Sequence, residues 1–283
     1  MGSAATGTPV RDALDGAATA ISAAGCETPR LDAELLLAHV LGVGRERLLI
    51  DDLEVAGPAV RVFQDFVRRR AVEREPVAYI LGRRYFRRLE LAIDRRALIP
   101  RPETELLVEV GLRLPSGARV LDLGTGSGAV ALALADERPD LIVAGSDCSS
   151  DALELARTNG ERLGLGVRWL RADLLDGVSD EFDAVLSNPP YVREDERSSL
   201  APEILRHEPS SALFASEDGL AVVRRLVAEA GERECVRLLA VEIGPGQAGA
   251  TGELMRQAGF ATVRAERDLA GIERVLVGER RKF

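Results

Sequence analysis

Residues 186–192 read LSNPPYV, and the apolar run FDAVL before Ser187 breaks there on Asn188, Pro189, Pro190 and Tyr191. Proline has no N–H and fixes φ, so a strand ladder cannot continue through the pair. The resulting turn is stiff and leaves the carbonyls of Asn188 and Pro189 without obvious partners, a state buried carbonyls rarely keep. Asn188 Oδ1 and the Pro189 carbonyl can together accept both hydrogens of a planar NH₂ group, and Tyr191 can pack over its plane. A nitrogen of that kind belongs to an amide or to an exocyclic base amine, and its delocalised lone pair makes it a poor nucleophile. Two acceptors would shift electron density onto it and fix its direction. Catalysis would then be orientation, which supplies up to roughly 7–11 kcal/mol, plus preorganised dipoles. No Ser/His/Asp or Cys/His nucleophile is required, and the two histidines, His39 and His207, agree with that.

A second chemical feature is VLDLGTGSGAV at 120–130, a strand, a glycine turn and a helix start. Gly124, Thr125, Gly126, Ser127 and Gly128 form a loop whose glycines let a ligand approach the backbone. Asp147, at the end of the next strand, can hold both hydroxyls of a ribose. The spacing leaves three readings open. Gly124-x-Gly126-x-x-Ala129 with Asp147 satisfies the dinucleotide fingerprint. The same residues make a tight turn with helix-capping aspartates. S-adenosylmethionine is the reading favoured by two further acids. Asp122 precedes the glycines, where it would repel a pyrophosphate and attract an ammonium group. Asp173, ending the third strand, could accept from an adenine amine, with Leu174 covering the ring.

The elements that would position these residues follow from periodicity. Residues 10–76 read as helical. LDAELLLAHVLG predicts a helix closing near Gly42, and VRVFQDFVRRRAVERE one that runs to Pro76. YILGRRYFRRLELAID predicts a β-hairpin, and Pro102 in IPRPETELLVEVGLRL marks a helix start. From Arg119 strands and helices alternate through VLDLG, LIVAGSD, VRWLRAD, FDAVLSN, RLLAVEIG, ATVRAERD and ERVLVGE, which means βαβ units and a mostly parallel sheet. Only LAGI separates the last two, so the final strand is expected to run antiparallel. The strand ending at Asn188 should lie beside the one ending at the glycine loop. The division expected is a leader 1–9, a helical domain 10–76, a hairpin linker 77–96 and a catalytic α/β domain 97–283.

Composition sets outer bounds. The chain has 283 residues, 46% of them hydrophobic and 4% aromatic, an ordinary globular balance. No run approaches the roughly 18–20 apolar residues of a membrane span. Cys26, Cys148 and Cys235 have no CxxC spacing, so buried thiols in a reduced, cytoplasmic protein are expected and a metal centre is not. Net charge is −9, yet residues 61–101 carry twelve arginines against five acids, +7, and the rest −16. That stretch is either a solvated helix and hairpin face or a patch for an acidic or RNA-associated partner.

With these residues in view the chain resembles the class I S-adenosylmethionine-dependent methyltransferases. More narrowly, it is similar to the protein-glutamine N5-methyltransferases that modify peptide chain release factors. The resemblance rests on EPVAYILGRRYF, LIPRPETELLV, VLDLGTGSGAVALALA, LSNPPYV, HEPSSAL with EDGL, EIGPGQ and DLAGIERVLVG. LIPRPETELLV is the most specific of them, since NPPY is shared with DNA adenine and ribosomal RNA methyltransferases.

The resemblance implies an α/β, Rossmann-like seven-stranded sheet preceded by a small helical domain that recognises the release factor. It implies methyl transfer to the glutamine of the Gly-Gly-Gln loop of class I release factors, with S-adenosylhomocysteine as product and no membrane or direct nucleic-acid substrate. Asn188, Pro189, Pro190 and Tyr191 would hold the carboxamide. Gly124–Gly128, Asp147 and Asn188 would hold the cofactor. Arg101–Thr104 would run near the site without a chemical step assigned. The alternatives are glutamine methylation of a ribosomal protein and N-methylation of a base amine in DNA or RNA. Two departures stand out: Arg88 replaces a usual small residue in the hairpin, and Leu174 stands where some relatives carry tryptophan.

Overall fold

The computed structural model describes residues 7–216 and 218–280. The chain divides into two compact units. One takes the chain up to Gly82 together with Ala201–His207, and the other takes Arg83–Leu200 and the chain from Glu208 onward. Residues 1–6 of the expected leader lie outside the described residues, and Thr8–Pro9 pairs antiparallel with Glu54–Val55.

The helical unit is built on Val10–Ala23, Pro29–Leu41 and Pro58–Ala71. Its core joins Leu14, Ile21, Leu36, Leu37, Phe63 and Ile80. Gly42, at φ 65°, closes the second helix in the left-handed conformation that a helix C-terminus favours. The third helix ends at Ala71, short of the expected Pro76, because the chain turns at Arg74, whose φ is 57°. A buried ion cluster fixes that turn. Arg70 donates to Asp32 at 2.7 Å and to Glu203 at 3.0 Å, and Arg74 donates to Glu203 at 2.5 Å. Glu203 belongs to the short helix Pro202–His207, so a segment far along the chain completes this unit.

In the larger unit, seven strands form one sheet. They are β1 (Arg119–Leu123), β2 (Ile142–Asp147), β3 (Arg168–Arg171), β4 (Ala184–Ser187), β5 (Leu238–Glu242), β6 (Thr262–Arg267) and β7 (Glu273–Glu279). Their spatial order is β6-β7-β5-β4-β1-β2-β3. β7 is antiparallel to both β5 and β6, while the pairs among β1–β5 are parallel. The central strands β1, β4 and β5 are buried along nearly their whole length, and apolar cores cover both faces, as a parallel sheet requires. This is the class I methyltransferase fold.

The expected hairpin is shorter than YILGRRYFRRLELAID. Val77–Leu81 is a helical turn closed by Gly82, and the paired strands are Arg83–Phe86 and Leu89–Ala92. Arg87, at φ 52°, makes the turn, anchored by Glu137 and Glu109, while Arg88 pairs with Asp136. Most of the basic stretch is satisfied in this way. Six acids from outside the stretch, Asp32 and Glu203 on Arg70 and Arg74, Glu109 and Glu137 on Arg87, Asp136 on Arg88 and Glu208 on Arg101, offset most of its +7 charge where it stands.

Candidate active site

A cavity of about 270 Å³ opens where β1, β2 and β4 end at their carboxyl sides. That is where open α/β sheets take their ligands. β4 lies directly beside β1, with Leu123 opposite Ser187, so the glycine loop and the proline corner leave the sheet side by side. Ser187 Oγ donates to the Leu123 carbonyl at 2.8 Å and ties the two exits together.

The wall includes Asp122, Gly124, Thr125, Gly126, Ser127, Asp147, Asp173, Leu174, Asn188, Pro189 and Pro190. Two expected residues lie behind it. Gly128, at φ 86°, begins the helix Ala129–Glu137, and a Cβ there would come within 3.0 Å of Leu132 and Trp169, so it serves packing. Tyr191 is turned from the cavity toward Gly244, where a Cβ would meet its ring at 3.2 Å. Burial first, then Glu242, pushes the Tyr191 phenol up to about 12, so it stays neutral.

Each acidic residue has a defined task. Asp122 is buried, and its Oδ2 accepts from Thr125 Oγ1 at 2.5 Å and from the Ala131 N–H at 3.1 Å. Burial pushes its carboxyl up to about 6, against the pull of those bonds. Asp147 takes the Gly126 N–H on Oδ2 and the Ser149 N–H on Oδ1, both at 2.9 Å, and so shapes the glycine loop. Gly124 and Gly126 have φ of 72° and 54°, the left-handed region that disfavours side chains. Asp173 holds Arg225 at 3.0 Å on the exposed rim, and Leu174 beside it has φ 56°.

The proline corner answers its own puzzle. Among the described residues no N–H reaches the carbonyl oxygens of Asn188 or Pro189. Asn188 donates through Nδ2 to Thr104 Oγ1 at 3.2 Å. Its amide oxygen and two backbone carbonyls are therefore acceptors held at the mouth of β4.

The sequence motifs without an assigned task brace this corner. Gln247, from EIGPGQ, donates to the Tyr191 carbonyl at 3.1 Å and accepts the Gly244 N–H at 2.9 Å. Gly219, from EDGL, packs so closely that a Cβ would lie 2.5 Å from the Tyr191 carbonyl. Glu208, from HEPSSAL, accepts from Arg101 at 2.6 Å and from the Ile99 N–H at 3.2 Å, and so fixes the segment that carries Thr104. The motifs are visible in the sequence, but no spacing rule indicates that they meet at one loop.

The wall suits S-adenosylmethionine better than a dinucleotide. The two wall arginines, Arg96 and Arg225, are paired with Asp94 and Asp173, and the buried acid under the glycine loop repels phosphate. Ser127 Oγ and Ser146 Oγ are buried at the wall and have no partner among the described residues, which a polar ligand can supply.

Known proteins match this chain along most of its length. Residues 12–82 fit the PrmC N-terminal domain family, and residues 102–229 the methyltransferase small domain family. The release factor glutamine methyltransferase of Rhodospirillum rubrum is 42% identical over 279 residues, covering 95% of this chain and 84% of that protein. That of Deinococcus radiodurans is 41% identical over 277 residues, covering 96% and 98%. Among solved structures, the hMettl16 catalytic domain in complex with MAT2A 3'UTR hairpin 6 has a TM-score of 0.57 at 16% identity, covering 79% of this chain and 82% of that one. A methyltransferase from Pyrococcus furiosus has a TM-score of 0.52 at 18% identity, covering 68% and 89%. At those identities the likeness is one of fold.

Proposed function

Because the chain belongs to the release factor glutamine methyltransferase family, we propose that it methylates the side-chain amide nitrogen, N5, of the glutamine in the Gly-Gly-Gln loop of class I peptide chain release factors. The observation that carries this reading is the acceptor-rich corner Asn188-Pro189 on the wall of the cavity beside the glycine loop.

S-adenosylmethionine supplies an electrophilic methyl on a sulfonium. The residues fitted to hold it are Asp122 for its ammonium, Asp147 for its ribose, and Asp173 with Leu174 for its adenine, over the backbone of Gly124–Gly128. Asn188 Oδ1 and the Pro189 carbonyl accept the two amide hydrogens of the glutamine, which orients its nitrogen and enriches it in electron density. Pro189 and Pro190 keep those acceptors rigid, so little reorganisation is needed when the substrate arrives. Tyr191 acts through the backbone that Gln247 holds and through its neutral, half-buried ring.

The helical unit, which has a hydrophobic core of its own, is the natural recognition element for the release factor, with residues 10–76 and the hairpin as the leading division of the chain. Among the described residues no helix is long and apolar enough to cross a membrane.

The test is transfer of labelled methyl to a purified release factor beside a panel of ribosomal proteins, with the site read by peptide mass. Label on the Gly-Gly-Gln glutamine supports the reading, and label confined to a ribosomal protein rejects it.

A further inference from the structure

The stretch DLAGI between the last two strands takes no part in the cavity, yet its turn stands on the same rim of the sheet. Ser187 on β4 pairs with Val241 on the parallel strand β5, and Glu242 pairs with Val275 near the start of the antiparallel β7. Residues 268–272 therefore leave the sheet on the side where β1, β4 and β5 end and the cavity opens. β7 lies two strands from β4. At about 4.8 Å per strand, that places the turn roughly 10 Å from the proline corner.

The turn is held rigid. Asp268 Oδ1 accepts the N–H groups of Ala270 and Ile272, each at 2.9 Å, and its Oδ2 accepts from Arg274 Nε at 2.8 Å. The Asp268 N–H donates to the Ile272 carbonyl and the Gly271 N–H to the Asp268 carbonyl, both at 2.9 Å. Gly271, at φ 80°, supplies the left-handed step. Asp268 and Gly271 thus meet the needs of the turn itself. Leu269 contributes nothing to it, for its side chain is fully exposed, and Ile272 is 40% exposed.

The ground around this tip is electrically neutral. Arg274 pairs with Asp268 and, at 3.9 Å, with Glu103, and Arg267 pairs with Glu273 at 2.6 Å. The neighbouring loop after β5, joined to β7 by the bond from the Ile243 N–H to the Arg274 carbonyl, exposes Pro245 and Gly246. In a chain with 29% charged residues this part of the rim is apolar.

A rigid apolar tip on neutral ground has the form of a protein contact. Little ordering cost remains when a partner arrives, and covering the exposed apolar surface is favourable. The occupant follows from the position. A glutamine that reaches Asn188 is carried by a folded protein, and that protein must lie over the mouth of the cavity. A stable interface buries about 800 Å² per partner, a disc about 16 Å in radius. A turn roughly 10 Å from the proline corner falls inside that disc. We propose that the 268–272 turn is a docking contact for the release factor, with Leu269 as an apolar pin that seats on the substrate protein beside its Gly-Gly-Gln loop. This rests on the proposed function and makes Leu269 a determinant of substrate binding, separate from the transfer step.

Steady-state kinetics of the full chain on a purified release factor test this, with S-adenosylmethionine affinity and sedimentation measured alongside. L269S removes the apolar side chain without adding charge and is expected to raise KM for the release factor about 10-fold, with kcat and cofactor affinity within about twofold. L269M keeps an apolar side chain and is expected to keep the wild-type KM. I142S is the control: Ile142, 60% exposed, begins β2 on the opposite edge of the same sheet, and its KM is expected to be unchanged. L269S with the wild-type KM overturns the contact, while methylation of the release factor by the wild type leaves the proposed function standing. A loss of kcat or of cofactor affinity in place of the KM change also overturns it, because the turn would then act on the cavity. A wild-type dimer that L269S dissolves assigns the turn to a second copy of the chain and overturns it as well. A wild type that leaves the release factor unmethylated overturns the function reading, and this contact with it.

Discussion

Gln247 Nε2 donates to the Tyr191 carbonyl at 3.1 Å, and through that bond the turn after β5 supports the proline corner after β4 from the side away from the cavity. The same side chain accepts the Gly244 N–H, so it closes its own turn and the neighbouring one together. Gln247→Ala removes both bonds and leaves the N–H of buried Gly244 and the carbonyl of half-buried Tyr191 in need of partners. A lost bond of this kind costs about 1–3 kcal/mol. The expected result is a kcat lowered about 10-fold with cofactor affinity nearly unchanged, measured by steady-state kinetics and calorimetric titration.

Gly219 is the second support, and its φ of 70° together with a Cβ position 2.5 Å from the Tyr191 carbonyl excludes any side chain. Gly219→Ala must push the corner aside. It is expected to reduce activity at least as strongly as Gln247→Ala and to destabilise the protein by about 1–3 kcal/mol, read as a shift in the thermal unfolding midpoint.

Asp147 shapes the cofactor side rather than the substrate side. Its carboxylate takes the N–H groups of Gly126 and Ser149, each at 2.9 Å. Asp147→Asn replaces one acceptor oxygen by a donor facing a backbone N–H. Charge-assisted bonds contribute about 1.5–3 kcal/mol, so the dissociation constant for S-adenosylmethionine should rise by roughly 10- to 100-fold, as calorimetry would record.

The ion cluster of the helical unit gives a stability prediction. Arg70 and Asp32 have side chains 7% exposed each, with Glu203 at 16% beside them. Removing one member leaves the others buried and uncompensated, which costs about 3–5 kcal/mol. Arg70→Ala is therefore expected to lower the unfolding midpoint sharply in a calorimetric scan. Replacing Arg70, Asp32 and Glu203 together by apolar residues of similar volume should cost much less.

Glu242, buried at the end of β5, predicts a pH dependence of stability. Burial raises its folded value from 4.5 to about 7. A carboxyl raised on folding binds its proton more tightly in the folded state, so its stabilising contribution is fullest below about 4.5 and is lost as pH rises to about 7. The difference in unfolding free energy between wild type and Glu242→Gln should therefore shift in favour of the glutamine variant across that window, by on the order of 1–3 kcal/mol. Denaturant titrations at pH 5 and at pH 8 would measure it, and no change in the difference would contradict the buried, raised carboxyl.

The sheet was legible because strand and helix alternate strictly from Arg119 and because LAGI is too short for a crossover. All seven strands, the antiparallel β7 and the neighbouring exits of β1 and β4 follow from that. The glycine loop and the proline corner were legible because their residue types restrict the backbone. Tertiary pairing was not. The end of the third helix at Ala71 depends on Arg70 and Arg74 reaching Glu203, more than a hundred residues away. The tasks of Gln247, Gly219, Glu208 and Thr104 likewise depend on four separated segments converging on one corner, which periodicity cannot encode. Tyr191 sits beside the cavity wall instead of on it because Gly244 gives its ring a place to pack.

The most direct measurement is methyl transfer to a purified class I release factor by wild type beside Asn188→Ala, with the modified residue located by peptide mass and S-adenosylmethionine affinity measured for both. The account predicts methyl on the Gly-Gly-Gln glutamine with the wild type, and a variant that binds the cofactor yet transfers almost nothing. Transfer by the variant at the wild-type rate would contradict it.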